Sequence, residues 1–291
     1  MRVLKNNIIN LYGKEGKEWL DALPELITQL AKTYGLSDLK PLQNLSYNYV
    51  LSAYQDSNPV IVKLGLDSDG LKKEARALKA FAGFGAIRVL AADEGMLLLE
   101  RCMPGFSLKS YFPTQDDEAI RITCERIQAL HKAPIPEGSA FPTISNWLSV
   151  LDNNWKIPRS YLEQARQLRD NLLQASSEKV LLHGDLHHEN ILNHGDQWVV
   201  IDPKGVLGDP VYEVAAFIRN PMPELLTLEN AHEIISYRIN RFAEILELPS
   251  KKIRDWCFVQ AVLAWAWALD DGVDAKYFEQ LTAVYSLALK H

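Results

Sequence analysis

The stretch HGDLHHENIL, residues 183–192, constrains this chain more than any other. It gathers three histidines, an aspartate, a glutamate and an asparagine between two apolar runs, KVLL before it and WVVID at 198–202 after it. Short runs of Val, Ile and Leu predict buried strands, so the polar segment is predicted to be a loop held rigidly at both ends. Two kinds of chemistry suit such a loop: a metal cluster built on the histidines, or a scaffold carrying one reactive aspartate.

The cluster would need His183, Asp185, His187 and His188 to converge. Imidazole and carboxylate suit zinc or iron, but metal motifs such as H-E-x-x-H space their ligands onto one helix face. Nothing comparable is present, and adjacent residues 187 and 188 point apart in an extended segment. The other reading takes H-x-D-x-x-x-x-N as a unit. In kinase-type phosphoryl transfer an aspartate accepts or aligns the proton of the acceptor hydroxyl, and an asparagine five residues on binds magnesium. Asp185 and Asn190 have that spacing, and Asp202, twelve residues after Asn190, ends the next apolar run as a second magnesium ligand should.

This reading makes a demand far upstream: a lysine on the third strand of the N-terminal part and a glutamate on the helix that follows. VIVK ends in Lys63, the one charge in an apolar strand, and Glu74 lies within the amphipathic stretch SDGLKKEARALKAFAG at 68–83. Either residue alone has an ordinary structural explanation, as a solvated strand end or a wet helix face. Four requirements met in chain order point to the kinase constellation.

LLHGDLHHENIL followed by WVVIDPKGVLGDPVYEVA resembles the aminoglycoside phosphotransferase superfamily. The His-His-Glu-Asn and Ile-Asp-Pro-Lys-Gly wording is most similar to streptomycin 6-kinases and the related aminoglycoside and hydroxyurea resistance kinases. The resemblance implies an α+β, protein-kinase-like bilobal fold: a small five-stranded antiparallel N-lobe with one helix, and a mostly helical C-lobe. It also implies ATP with magnesium and a small-molecule hydroxyl acceptor. Lys63 and Glu74 would serve the α- and β-phosphates, and backbone groups around Glu100 to Cys102 would hydrogen-bond adenine. Asn190 and Asp202 would hold magnesium, and Asp185 would act on the hydroxyl. His183 is expected to brace the loop, while His188 and Lys204 are expected to approach the γ-phosphate. In QNLSYNYV at 43–50, Asn44, Ser46 and Asn48 tolerate tight turns, and Ser46 and Asn48 are candidate phosphate contacts; a plain hairpin turn is the alternative.

Residue types elsewhere narrow the acceptor. Gly184 stands where many protein kinases carry an arginine, Asp202 is followed by Pro203-Lys204, and the helix-like DPVYEVAAF begins only seven positions after Asp202. An activation loop able to hold a peptide has no room. Asp209 and Glu213, with Asp270, Asp271 and Trp265 in WAWALDDGVD, are candidate contacts for a cationic acceptor such as an aminoglycoside. A solvated helix end is the competing explanation. A housekeeping kinase for choline, homoserine, a sugar or a fructosamine remains open, as does a nucleotide-binding regulator without catalysis.

Size and composition agree with this organisation. A chain of 291 residues buries roughly 75% of its unfolded surface, and the length suits two lobes, expected at 1–102 and 103–291. Strands are expected near 39–45, 47–54, 59–65, 86–93 and 95–101. Helices are expected over 17–34, with Pro24 starting or kinking one, 68–83, 115–132, 158–176, 223–247, 250–269 and 274–289. The net charge of −6 argues against a nucleic-acid partner, which would call for clustered Lys and Arg. The longest apolar run, AVLAWAWAL, is too short to span a bilayer, and no signal-peptide pattern opens the chain. Three separated cysteines suggest no disulfide framework. A cytoplasmic, reduced protein is expected.

Overall fold

The computed structural model describes residues 1–43, 45–138, 141–176 and 179–288. The chain forms two compact units. One comprises Met1–Ala82 with Ile87–Gly105; the other comprises Gly83–Ala86 with Phe106–His291. Residues 83–86 go with the second unit because Val200 N donates to Gly85 O (2.8 Å) and Ala86 bridges Val200.

In the first unit, β1 (Leu36–Pro41), β2 (Tyr49–Gln55), β3 (Asn58–Leu64), β4 (Val89–Asp93) and β5 (Met96–Glu100) form one antiparallel sheet in the order β1-β2-β3-β5-β4. The β2–β3 turn places Asp56 and Ser57 at φ 46° and 70°, the primed-turn geometry whose twist matches that of the strands. Alternation along β3 sends Val60, Val62 and Leu64 into a core shared with Leu4, Ile8 and Leu23 of α1 (Arg2–Tyr34). α1 is longer than the apolar spacing predicts. Its break lies at Gly13 (φ 55°, ψ −121°), not at Pro24, and Gly35 caps its end in the left-handed conformation. α2 (Ser68–Ala80) starts on the Asp67 cap, which accepts from Gly70 N at 2.8 Å. Its buried face is Leu71, Glu74, Ala75 and Leu78, so the glutamate holds an i+3 place among apolar residues.

The second unit is mostly helical. β6 (Pro104–Ser107), whose Phe106–Ser107 end lies in this unit, joins β8 (Ile191–His194) and β9 (Gln197–Val200) in a sheet ordered β6-β8-β9. β7 (Val180–Leu182) pairs with β10 (Val206–Gly208). Neither β6 nor β10 was expected, since a Gly-bearing run of three or four residues has no period to read. The helices are α3 (Asp116–Leu130), α4 (Ile144–Leu148), α5 (Arg159–Ala175), α6 (Val214–Ile218), α7 (Ala231–Ile245), α8 (Ser250–Asp270) and α9 (Lys276–Ala288). The helix expected over 223–247 is divided: a 3₁₀ turn at Glu224–Thr227 precedes α7. α8 is polar at its start and buried throughout its mid-section from Asp255 to Leu263, as a helix surrounded by others must be. Among the described residues no helix is long and apolar enough to cross a membrane.

Candidate active site

In the first unit the β3 alternation that buries Val62 turns Lys63 to the opposite face, where Glu74 of α2 meets it. Lys63 Nζ donates to Glu74 Oε2 at 2.7 Å, with both side chains about nine-tenths buried. An ion pair taken out of water is costly unless well placed, and the 2.7 Å contact meets that condition. Asn44 lies outside the described residues. Ser46 is exposed, and its carbonyl accepts from Asn7 Nδ2 at 3.0 Å. The Asn48 amide packs against Gly65, where an added Cβ would lie 2.2 Å from Asn48 Oδ1. The stretch expected to bind adenine, Glu100 to Cys102, follows from the end of β5. The amides of Glu100 and Arg101 donate to Arg88 O (3.0 Å) and Pro59 O (3.1 Å), and the Glu100 carboxylate forms a two-pronged pair with Arg88. Those two amides are therefore committed to the sheet. Cys102 follows the strand, its thiol pushed up to about 12 by burial.

In the second unit, β7 delivers the chain to His183. The amides of His183 and Gly184 donate to the two carboxylate oxygens of Glu213, at 2.7 and 2.9 Å. His183 Nδ1 accepts from Asp185 N (3.3 Å), which leaves Nε2–H to donate to Ile201 O at 2.8 Å. Burial lowers the His183 pKa, so the ring is a neutral brace. The carbonyl of His183 accepts from Lys204 N (2.8 Å) and Gly205 N (3.3 Å). The loops bearing Asp185 and Asp202 are thereby laced together. Gly184 adopts φ +84°, and a Cβ there would lie 2.8 Å from Trp147 Cη2 and 3.0 Å from Val206 Cγ1. Gly184→Ala is expected to cost about 1–3 kcal/mol from backbone strain and overpacking, read as a lowered melting temperature with a parallel loss of activity.

Asp185 is held from several sides. Arg219 Nη2 donates to its Oδ1 at 3.2 Å, His187 Nε2 lies 3.7 Å from its Oδ2, and Asn190 Nδ2 donates to its carbonyl at 2.9 Å. Burial raises the Asp185 pKa, but His187 and Arg219, with Lys204 and His183 adding to them, outweigh it and hold the carboxyl below the ordinary aspartate range. The group is ionised at neutral pH. Fixing the Asn190 nitrogen on Asp185 O also fixes which way the amide oxygen faces. Asp202 sits just past β9 at φ 57°, a conformation aspartate tolerates better than most residues. An amide oxygen and a carboxylate are the hard donors that magnesium prefers.

The three imidazoles of the motif go to three places, and among the described residues no group of three or more metal-type side chains converges. His188 corrects the expectation of a γ-phosphate contact. It is fully buried and stacked on Phe217 (ring centroids 3.8 Å, 20°), with its pKa lowered to about 3 by burial. His187, weighed in the sequence only as a metal ligand, is the histidine beside Asp185, and its Nε2 also lies 3.3 Å from Asn190 Nδ2. His187 is the extended N-cap of a 3₁₀ turn that begins at His188, so the two side chains leave the chain in different directions.

A cavity of about 400 Å³ opens at Asp185, lined among others by Trp147, Lys204, Arg219, Trp267 and Asp271. Of the expected acceptor contacts, Asp271 lines it; Asp270 is exposed and not among the lining residues. Trp265 is 4% exposed and belongs to the core, while Trp267 forms the wall, edge-on to Trp147 (5.9 Å, 79°). Two residues along a helix is about 200° of turn, so only one of the pair can face the cavity. Asp209 and Glu213, each 1% exposed, are closed to an acceptor. Asp209 pairs with Lys252 (2.6 Å) and caps Val211 N (3.0 Å), and Glu213 holds the catalytic-loop amides. Arg219 was missed altogether. Its signal was a lone charge closing the apolar run VAAFIR, the same signal that singled out Lys63.

A family model described as aminoglycoside/hydroxyurea antibiotic resistance kinase matches residues 36–272. The streptomycin 3''-kinase of Klebsiella pneumoniae is 31% identical over 234 residues, covering 77% of this chain and 85% of that protein. The streptomycin 6-kinase of Streptomyces griseus is 25% identical over 287 residues, covering 95% and 92%. Among solved structures, a thermostable mutant of aminoglycoside phosphotransferase APH(4)-Ia, in ternary complex with ADP and hygromycin B, superposes with a TM-score of 0.69. At 17% identity it covers 90% of this chain and 97% of that one, so the two share the protein-kinase-like fold. A family match across most of the chain, joined to a relative above 30% identity over three-quarters of it, establishes that this chain belongs to the aminoglycoside/hydroxyurea antibiotic resistance kinase family.

Proposed function

We propose that the chain transfers the γ-phosphoryl group of ATP to a hydroxyl of a small cationic molecule, with an aminoglycoside such as streptomycin as the leading acceptor. The observation that carries this reading is the Asp185 carboxylate, ionised and fixed at the edge of a cavity walled by Trp147 and Trp267. Asp185 orients the acceptor hydroxyl and takes its proton as the new P–O bond forms, while the bond between the γ-phosphorus and the β,γ-bridging oxygen breaks and ADP leaves. A carboxyl held below the usual range is a weak base. That suits a loose transition state, in which the nucleophile gives up its proton late.

Lys63, oriented by Glu74, takes the α- and β-phosphates as a point charge. Asn190 and Asp202 have the donor chemistry for magnesium, which supplies charge neutralisation on the phosphate oxygens when bound. The aromatic walls suit an apolar ring face or a cation, and Asp271 supports a positive group on the acceptor.

Two measurements test the reading together: streptomycin susceptibility of a host with and without the expressed chain, and ADP release by the purified chain with magnesium, ATP and streptomycin. Protection with streptomycin-dependent ADP release is expected. Absence of both, with turnover of choline, homoserine or a sugar instead, would assign the chain to a housekeeping role. Magnesium-dependent ATP binding without transfer to any of these would leave a regulator.

A further inference from the structure

The end of α6 is anchored far more heavily than a five-residue helix requires. Four successive carbonyls there accept from side chains of other helices: Phe217 O (3.3 Å), Ile218 O (3.2 Å) and Asn220 O from the single guanidinium of Arg238, and Arg219 O from Tyr277 Oη at 2.5 Å. Arg238 is itself fully buried and paired with Asp116 by two bonds of 2.7 Å. The residue so fixed in the middle, Arg219, reaches the rim of the cavity with its side chain 15% exposed.

Its guanidinium is held at two points. Nη1 donates to Gln260 Oε1 at 2.8 Å, and Nη2 donates to Asp185 Oδ1 at 3.2 Å. Gln260 is anchored in turn, its Nε2 donating to Tyr212 O at 2.6 Å, one residue before the Glu213 that holds the amides of His183 and Gly184. Asp185 is thus fixed twice through neighbouring backbone: Glu213 sets its loop and Arg219 sets its carboxylate. The other oxygen, Oδ2, has its nearest imidazole nitrogen at 3.7 Å, outside hydrogen-bond reach.

We infer that Arg219 is the positioning residue of the phosphotransfer: it occupies Oδ1 of Asp185 so that Oδ2 is the atom presented to the acceptor hydroxyl. A guanidinium suits this task because its planar fork bonds two partners at a fixed angle, which an ammonium cannot do. A carboxylate free to rotate about χ2 would present either oxygen in a range of directions. Orientation of reacting groups is worth orders of magnitude in rate. The inference rests on the kinase reading, with Asp185 as the proton acceptor.

The test uses the purified full chain with magnesium and ATP, and as probe acceptor whichever of streptomycin, choline, homoserine or glucose the wild type phosphorylates. Arg219→Met is expected to lower kcat by about 10²-fold while the KM for ATP stays within about threefold. Arg219→Lys should fall between that variant and wild type. Guanidinium ion at tens of millimolar should restore activity at least about fivefold to Arg219→Met and not at all to Asp185→Asn, a response that a merely structural role would not produce. Wild-type kcat in Arg219→Met would overturn the inference, as would a loss that guanidinium fails to restore and that comes with a raised KM for ATP. If Arg219→Met does not fold, Gln260→Leu decides: about a tenfold fall in kcat at constant KM for ATP supports the inference, and an unchanged kcat overturns it. A wild type that phosphorylates none of the four acceptors would sink the kinase reading and this inference together. An active wild type with indifferent variants would sink this inference alone.

Discussion

Asp185→Asn is expected to lower kcat by about 10²–10⁴-fold, the span associated with removing a positioned general base, while ATP affinity changes by no more than about threefold. The amide has nearly the shape of the carboxylate, so the loop should keep its form. Its tethers are the Glu213 bonds to His183 and Gly184, the His183 bonds to Ile201 and Lys204, and the Asn190 bond to Asp185 O, and none of them uses the side chain being changed. The proton acceptor is lost, and with it the negative charge that faces Arg219. Steady-state kinetics beside calorimetric ATP binding separate the two effects, and near-normal turnover would remove Asp185 from its assigned role. Because the Asp185 carboxyl is held below the ordinary aspartate value, wild-type kcat should show no loss from protonation of this base between pH 8 and pH 5. Its acid limb belongs lower, where the carboxylate itself titrates.

Arg238→Ala should produce the largest loss of stability. Arg238 is 0% exposed, bonds both oxygens of Asp116, and lies 5.3 and 5.2 Å from the ring centroids of Phe112 and Phe217. Removing one partner of a buried pair leaves the other charge stranded, at about 3–5 kcal/mol. At roughly 2–4 °C per kcal/mol for a unit of this size, the melting temperature should fall by about 6–20 °C. The effect has a defined pH dependence. Burial raises the Asp116 pKa, but contacts with His188 and Arg238 outweigh it and hold the carboxyl below its ordinary value of 3.8. A depressed folded-state pKa gives stability that is present above the unfolded value and lost as pH falls through the folded one. The gap between wild type and Arg238→Ala should therefore be full at pH 7 and narrow below about pH 4. A gap that is constant down to pH 3 would show that the pair is not the source.

The fixation of α6 joins these two experiments. Arg238 touches no atom near Asp185, yet it holds the carbonyls on either side of Arg219, so Arg238→Ala should reduce kcat among the molecules that remain folded. Strain or slack at one end of such a chain of bonds passes to the other because its anchor, Arg238, is fully buried and has little room to relax.

Much of the chemistry was legible because reactive groups break the rule of the element that carries them. Lys63 is a charge in an apolar strand, Glu74 sits on the apolar face of a helix, and Asp185 and Asn190 keep a loop spacing that ordinary turns do not require. The five strands of the first unit were legible for a related reason, since each carries a period of two or a turn residue at its end. β6 and β10 carried no such pattern. They are strands because β8 and β7 need backbone partners, and that need is a property of the assembled sheet.

The choice between near-equivalent neighbours had a different source. His187 and His188 are the same residue type in consecutive positions, and Trp265 and Trp267 differ only by two steps along α8. For the tryptophans, sequence alone determined that only one can face a given side, because helices turn about 100° per residue; for the histidines, which straddle the start of a 3₁₀ turn at His188–Asn190, it did not. Which one faces the site depended on where Phe217 offers a stacking partner to His188 and where Trp147 closes the cavity against Trp267. The same holds for Asp209 and Glu213, whose carboxylates suited a cation equally well on paper until Lys252 and the loop amides proved to be their partners. Residue types and their spacing thus determined the reaction class and pointed to the candidates for its reacting groups. The orientation of Asp185 by Arg219 was decided only by the tertiary fold, because its contacts join residues 34 and 41 positions apart in the chain.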